Sequence, residues 1–277
     1  MKFTAEQQAQ YHANGYVVIP CPFPQDLTRR CLEAVEQVAI DPRDNTKDGK
    51  GNHYRLEPQL ANSYWCALDH SLPFLQIELH SEIVELARQL AGDQDIYFRN
   101  GGINELAPQR SFVWHRDSEL HYVEFMHYFS GATPDNGCLR VVPGSHIGPV
   151  DPWQQQLEEG RQRQDLQGSR QECDARLPGE VALELGPSQL LVRSSRLYHA
   201  TYLNHSATGR LMHHWLFREA ASPNHRFRFE DYLTEELIEA LTPEQRQVLW
   251  LQRDFDLDPT WENERQAEGG QVFWSVL

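Results

Sequence analysis

Between about residue 95 and residue 219 the chain is a succession of short apolar segments. They read DIYFRNGGINEL, SFVWHRDSEL, HYVEFMHYF, CLRVV, EVALEL, QLLVR, LYHATYL and RLMHHWLFR, and are broken by turn sequences such as PDNG and PGS. Many alternate apolar and polar residues, the period of a strand with one buried face. Eight or so strands at this spacing predict a mainly β protein with a sandwich or jelly-roll core.

The flanks read differently. Before the strands, Thr4 is placed to cap a helix that stops at Gly15, and YVVIP (16–20) reads as a short strand. Leu27, Cys31, Val35 and Val38 share a helical face, 41–62 reads as a polar loop, and helical spacing returns from Phe74 to Ala91 with Gly92 as its stop. Residues 151–179 interrupt the strands with a Gln-, Glu- and Arg-rich insertion of the kind that serves as a lid or stays unfolded. Residues 230–277 read as a helical tail, with Thr242 a cap and Pro243 at the first helical position. No linker separates these parts, so a single domain over 1–277 is expected.

Composition removes several classes of function. With 25 Lys+Arg against 40 Asp+Glu the net charge is −15, a surface that repels nucleic-acid backbones and anionic lipid. No apolar run approaches the roughly 20 residues that span a bilayer. The opening MKFTAEQQAQ lacks the apolar core of a signal peptide. Cys21, Cys31, Cys66, Cys138 and Cys173 form no CxxC pair and are odd in number, which suits free thiols. A cytoplasmic protein is expected.

Two of these segments carry chemistry. In FVWHRDSEL, His115 and Asp117 are two apart, so on a strand they would point to one side. That supplies two ligands of a 2-His-1-carboxylate site, the arrangement that suits non-haem Fe(II). Alone the pair reads equally as a surface ion pair, because 13 histidines in 277 residues make roughly one His-x-Asp by chance. His80-x-Glu82 looks similar but falls in a helical stretch, where such positions do not converge. A third ligand is available in LYHATYLNHSATGR: His199 lies 82 residues beyond Asp117, with Thr201 two further on and Arg210 eleven further on. If NHSATG is a hairpin turn, Arg210 opens the neighbouring strand, where its guanidinium could clamp a carboxylate with help from the Thr201 hydroxyl.

His-x-Asp, then His-x-Thr, then Arg eleven residues on resembles the phytanoyl-CoA dioxygenase family of Fe(II)/2-oxoglutarate oxygenases. DNGCLRVVPGSH (135–146) is similar to the stretch that joins the halves of that motif, and TAEQQAQYHANGYVVIP to the family's helix-then-strand opening. The resemblance covers residues 4 to about 218. It implies a double-stranded β-helix core, cupin-like, with N-terminal helices and a helical C-terminal tail. It implies His115, Asp117 and His199 as iron ligands, Arg210 and Thr201 as the grip on 2-oxoglutarate, and Asn104 as a further cosubstrate contact. The expected reaction hydroxylates an unactivated C–H bond of a small molecule while 2-oxoglutarate and O2 become succinate and CO2. The carboxylate at 117 argues against halogenation, which needs that coordination position for chloride.

By strand parity Glu119, His121, Met212 and His214 are candidates to line the substrate side, hinting at a polar or amine-bearing substrate. Trp114 should point into core. Two other readings stay open here: a cupin-like metalloenzyme that does not use 2-oxoglutarate, and a non-catalytic binding relative.

Overall fold

The computed structural model describes residues 2–37, 53–54, 60–65, 72–92, 95–163, 175–220, 229 and 233–251. In chain order the elements are α1 (Ala5–Asn14), β1 (Tyr16–Pro20), α2 (Gln25–Gln37), β2 (His53–Tyr54), β3 (Leu60–Trp65), α3 (Leu72–Glu78) and α4 (Ser81–Ala91). Then come β4 (Ile96–Leu106), β5 (Val123–Tyr128), β6 (Leu139–Val141), α5 (Asp151–Arg163), β7 (Val181–Leu183), β8 (Gln189–Ser194), β9 (His199–Thr201), β10 (Arg210–Glu219), α6 (Glu235–Ala240) and α7 (Pro243–Val248). Local chemistry sets several of the boundaries. The Thr4 hydroxyl accepts from the Gln7 amide while the Gln7 side chain accepts from Thr4 N–H, and Gly15 closes α1 in the left-handed region. Thr242 and Gln245 repeat that reciprocal cap at α7, with Pro243 at its start.

The strands form two antiparallel sheets, one ordered β1-β8-β5-β10-β4-β3-β2 and one ordered β7-β6-β9. Alternation along the strands decides the layering. Phe125, Leu190, Val192, Trp215 and Phe217 face outward from the large sheet and pack on Phe74, Leu75, Ile83, Val84 and Leu86 of α3 and α4. Met126, Tyr128, Leu191 and Met212, from the opposite parity of the same strands, face Leu139, Val141 and Leu183 of the small sheet. The space between the sheets is therefore the one that strand parity predicts for Arg210, Met212 and His214.

Four expectations are corrected. SFVWHRDSEL is not a strand: its ladder contact is a single bridge between His115 and His199. Residues 41–62 are not all loop, because β2 and β3 lie in or begin in that span and join the large sheet beside β4. With β1, they extend the sheet well before residue 95. The helical run from Phe74 to Ala91 is two helices, broken at Leu79 and His80. β9 and β10 are not hairpin partners: β9 pairs with β6, whereas β10 pairs with β4 and β5. Residues 202–209 carry the chain from one sheet to the other. Asn204, fully buried, stitches that crossing by donating to the carbonyls of Leu106 and Thr208, both at 3.0 Å.

Of the insertion, 151–163 is helix, and 164–174 lie outside the described residues. Within the expected tail, 230–232 and 252–277 also lie outside them. Cys21, Cys31 and Cys138 are free thiols, and Cys66 and Cys173 lie outside the described residues. Among the described residues no helix is long and apolar enough to cross a membrane.

Candidate metal centre

His115 and Asp117 converge without a strand, because their neighbours are anchored on the other side. Trp114 stacks on Tyr198 at 5.6 Å and donates its indole N–H to Ala175 O at 3.0 Å. Arg116 is buried and donates to Ser145 O at 2.6 Å and Gly148 O at 3.2 Å. With 114 and 116 held outward, 115 and 117 face inward. His115 N–H bonds to His199 O at 2.8 Å and His199 N–H to His115 O at 2.9 Å, so the two histidines start from facing backbones.

One ligand atom from each of His115, Asp117 and His199 lies within 4.8 Å of the others, and among the described residues this is the one such group. His115 Nε2 is 3.2 Å from Asp117 Oδ1, and His199 Nε2 is 3.8 Å from Asp117 Oδ2. The Nδ1 atoms of both imidazoles sit 2.8 Å from main-chain carbonyls, His115 on Val113 and His199 on Leu197. A carbonyl can only accept, so each Nδ1 carries the proton and each Nε2 offers its lone pair to the centre. Burial, then Arg193 and His115, holds the His199 pKa well below the usual imidazole range. Burial works to raise Asp117, but the Arg193 guanidinium beside it outweighs that and keeps the carboxyl well below its ordinary value. Two neutral imidazoles and one carboxylate, with Asp117 31% exposed toward solvent, form a donor set that fits a divalent metal with open positions.

Arg210 opens β10 between the sheets and is 4% exposed. Its Nη1 donates to Gly137 O, and its guanidinium carbon lies 4.8 Å from the centre of the Tyr128 ring. Gly137 ends the PDNG turn at φ +81°, and a Cβ there would come within 2.6 Å of Leu106 and 2.9 Å of Tyr202 O, so the turn that presents this carbonyl requires glycine. Arg210 has no carboxylate partner among the described residues, and burial lowers its pKa. Arg210 Nε and the Tyr128 hydroxyl are both buried without a hydrogen-bond partner among the described residues. A buried cation with one N–H unmet, packed on a ring whose hydroxyl is also unmet, fits an anionic ligand.

The other expected residues divide. The Thr201 hydroxyl accepts from Phe112 N–H at 2.6 Å, leaving its own proton to donate. Asn104 lies opposite Met212 across β4 and β10, with its amide 3.5 Å from His214 Nε2. His214 and Met212 are buried on the inner face, as parity predicts. For Glu119 and His121 the parity argument fails with the strand. Glu119 is 52% exposed and ion-paired with Arg116 at 2.8 Å, and His121 is bonded to the Tyr11 hydroxyl at 3.1 Å. Arg193 and Glu124 were not anticipated. Arg193 on β8 joins Asp117 to Glu124 on β5, and Glu124 reaches His214 at 3.2 Å. A charged residue at an inward position of an otherwise apolar strand was the feature that could have revealed them.

A family model described as phytanoyl-CoA dioxygenase (PhyH) matches residues 11–212. The chain is 26% identical over 225 residues, 74% of its length and 75% of the other, to a probable alpha-ketoglutarate-dependent hypophosphite dioxygenase from Stutzerimonas stutzeri. It is 27% identical over 157 residues to an ectoine dioxygenase from Sphingopyxis alaskensis, covering 52% of this chain and 50% of that one. Among solved structures, HygX from Streptomyces hygroscopicus with nickel and 2-oxoglutarate bound superposes with a TM-score of 0.65 at 17% identity, over 81% of this chain and 90% of that one. EctD from S. alaskensis with bound Fe gives 0.58 at 21% identity, over 78% and 77%. These likenesses agree with the two-sheet core and its flanking helices, and a family match over most of the chain settles descent: the chain belongs to the phytanoyl-CoA dioxygenase family and is an Fe(II)/2-oxoglutarate-dependent oxygenase.

Proposed function

We propose that His115, Asp117 and His199 hold the Fe(II), that Arg210 anchors the far carboxylate of 2-oxoglutarate, and that the enzyme hydroxylates a C–H bond of a small polar molecule. The observation that carries this is the convergence of two Nε2 atoms and a carboxylate oxygen within 4.8 Å, with both Nδ1 protons committed to backbone carbonyls. Bound there, iron supplies the activation of O2 that is coupled to conversion of 2-oxoglutarate into succinate and CO2. The chain does the rest. Asp117 remains ionised and His199 neutral, so both meet a cation in their ligating forms. Arg210 offers its Nε–H, and the unsatisfied hydroxyl of Tyr128, the ring the guanidinium lies over, is a second donor for the same carboxylate. Thr201 can donate its remaining proton, and the apolar inner face around Met126, Leu191 and Met212 excludes water from the reacting region.

A polar substrate is supported by the names of relatives: ectoine and hypophosphite dioxygenases, and a HygX structure with hygromycin B bound. The amine-bearing refinement loses the support of Glu119, whose charge Arg116 already neutralises. The test is succinate release from 2-oxoglutarate under O2 with Fe(II), run over a panel of amines, amino acids and other polar molecules, with a +16 mass shift as the product signature. Stimulation by polar members supports the proposal, and stimulation by acyl thioesters or terpenoids alone overturns the substrate class. Product with an unchanged or reduced mass overturns hydroxylation.

A further inference from the structure

The inner face of the large sheet carries two buried guanidiniums in opposite circumstances. Among the described residues Arg210 has no carboxylate partner, whereas Arg193, whose side chain is 3% exposed, has two. Its Nη2 donates to Asp117 Oδ2 and lies 2.5 Å from Glu124 Oε2. Its Nε lies 3.2 Å from the Met126 sulfur, and its Nη1 is 3.4 Å from the ring of His199. Glu124 stands directly opposite Arg193 across β5 and β8, and its other oxygen bonds His214 Nδ1 at 3.2 Å. His214 Nε2 then faces the Asn104 amide at 3.5 Å. The result is an unbroken polar chain, Asp117–Arg193–Glu124–His214–Asn104, crossing four adjacent strands of the sheet or reaching to them. Nothing in metal ligation itself requires the last four members. Buried ion pairs generally do not repay their desolvation in stability, so a chain of this kind calls for another role.

The geometry points to Arg193, locked by Glu124, as a positioning residue that ties down Asp117 Oδ2 so that the carboxylate offers the metal only Oδ1. Oδ1 is the oxygen on the His115 side, 3.2 Å from His115 Nε2. A carboxylate free to turn could bind through both oxygens and occupy a position that the cosubstrate or O2 needs. Glu124 is what keeps the guanidinium from following Asp117. Because its second oxygen orients His214, the same residue orients Asn104 as well. The inference rests on Asp117 being a metal ligand.

The experiment uses full-length protein and Co(II) or Fe(II) under anaerobic conditions. It reads metal affinity by calorimetry and the charge-transfer absorption that forms when Fe(II) and 2-oxoglutarate are both present. The double variant Arg193→Met with Glu124→Met removes both buried charges together and fills their volume, and a cooperative thermal melt shows whether it is folded. Expected is a 10- to 100-fold loss of metal affinity, the range for removing the partner that orients a ligand, with a shifted charge-transfer band. A folded double variant with wild-type affinity and band overturns the inference. Should it fail to fold, Arg193→Lys decides. Lysine keeps the charge but lacks the planar fork that fixes the Nη2 contacts to Asp117 and Glu124 by anchoring Nε on the Met126 sulfur, so Asp117 is held less rigidly. A several-fold loss of affinity with a shifted band supports the inference, and wild-type values for both overturn it. Asp117→Ala separates the two levels: metal binding unaffected by that change defeats the ligand assignment itself, whereas metal loss there beside wild-type behaviour in the Arg193 variants defeats only the positioning role.

Discussion

Replacing Arg210 by Met should divide two properties that usually fall together. Arg210 is 4% exposed and meets a carbonyl and an aromatic face, with no carboxylate among the described residues. Without cosubstrate, the substitution loses a charge-assisted hydrogen bond worth about 1.5–3 kcal/mol and a cation–π contact worth about 0.5–2 kcal/mol. It also removes a buried cation whose desolvation costs several kcal/mol. These offset, so the melting temperature of the cosubstrate-free protein should change by only a few degrees. Binding is different. Truncating one member of a buried, hydrogen-bonded charge pair costs about 2–5 kcal/mol; at the middle of that range, near 3.5 kcal/mol, the dissociation constant for 2-oxoglutarate rises by about 300-fold. At 100 times the wild-type dissociation constant, 2-oxoglutarate stabilises the wild type by about 2.7 kcal/mol and the variant by only about 0.2 kcal/mol. Anaerobic calorimetry and thermal melts of metal-loaded protein read both quantities. Metal affinity should be unchanged, since Arg210 meets Gly137 O and the Tyr128 ring rather than His115, Asp117 or His199. A variant that binds 2-oxoglutarate within threefold of wild type would refute the clamp and the charge argument behind it.

The outer face of the sheet offers further tests. A Cβ on Gly101 would collide with Glu78 Oε1, so Gly101→Ala should destabilise the fold by about 1–3 kcal/mol in chemical denaturation, and Glu78→Ala in the same chain should relieve part of the clash. Glu78 is fully buried against His213 at 2.8 Å, and burial holds its pKa well above the ordinary value of 4.5. The folded state therefore keeps a proton that the unfolded state releases, and this contribution to stability is lost as pH rises from about 4.5 through the folded value. Glu78→Gln should accordingly gain stability relative to wild type at pH 8 compared with pH 5, and parallel curves would contradict the neutral-carboxyl reading. His121 behaves in the opposite sense. Burial, then Arg196, lowers its pKa to about 4, so its contribution is complete above 6.5 and is lost as pH falls toward 4. His121→Gln should lose less stability than wild type between pH 7 and pH 5 in urea melts.

What could be read from the amino-acid sequence followed how local its cause was. Thr4, Gly15, Thr242 and Pro243 act within one helical turn, and their caps are as expected. The alternation of β10 is equally local and correctly sends Met212 and His214 inward. His115, Asp117 and His199, whose ligand atoms the fold brings within 4.8 Å of one another, were legible only as a set, because His-x-Asp alone occurs about once by chance and the order His-x-Asp, His-x-Thr, Arg carries the family resemblance. SFVWHRDSEL misled because strand periodicity is not strand pairing. Its inward and outward facing comes from Trp114 and Arg116 being anchored elsewhere, and once the ladder stops at His115 nothing carries parity on to Glu119 and His121. β3 is made a strand by pairing with β4, and β2 by pairing with β3 at the sheet's edge, both non-local causes. The crossing at 202–209 hid for a related reason, since a turn sequence does not state which sheet the next strand joins. Arg193 and Glu124 were unread because a charge inside an apolar strand has meaning only when its partner strand is known.

The central claim is that three side chains from distant segments hold one ferrous ion that presents 2-oxoglutarate to O2. Anaerobic titration with Fe(II) and then 2-oxoglutarate, followed by absorption, measures it directly. The account requires a charge-transfer band that saturates at one iron and one cosubstrate per chain and is abolished by His199→Ala. Absence of the band in the wild-type protein, or its persistence at full intensity in His199→Ala, would contradict it.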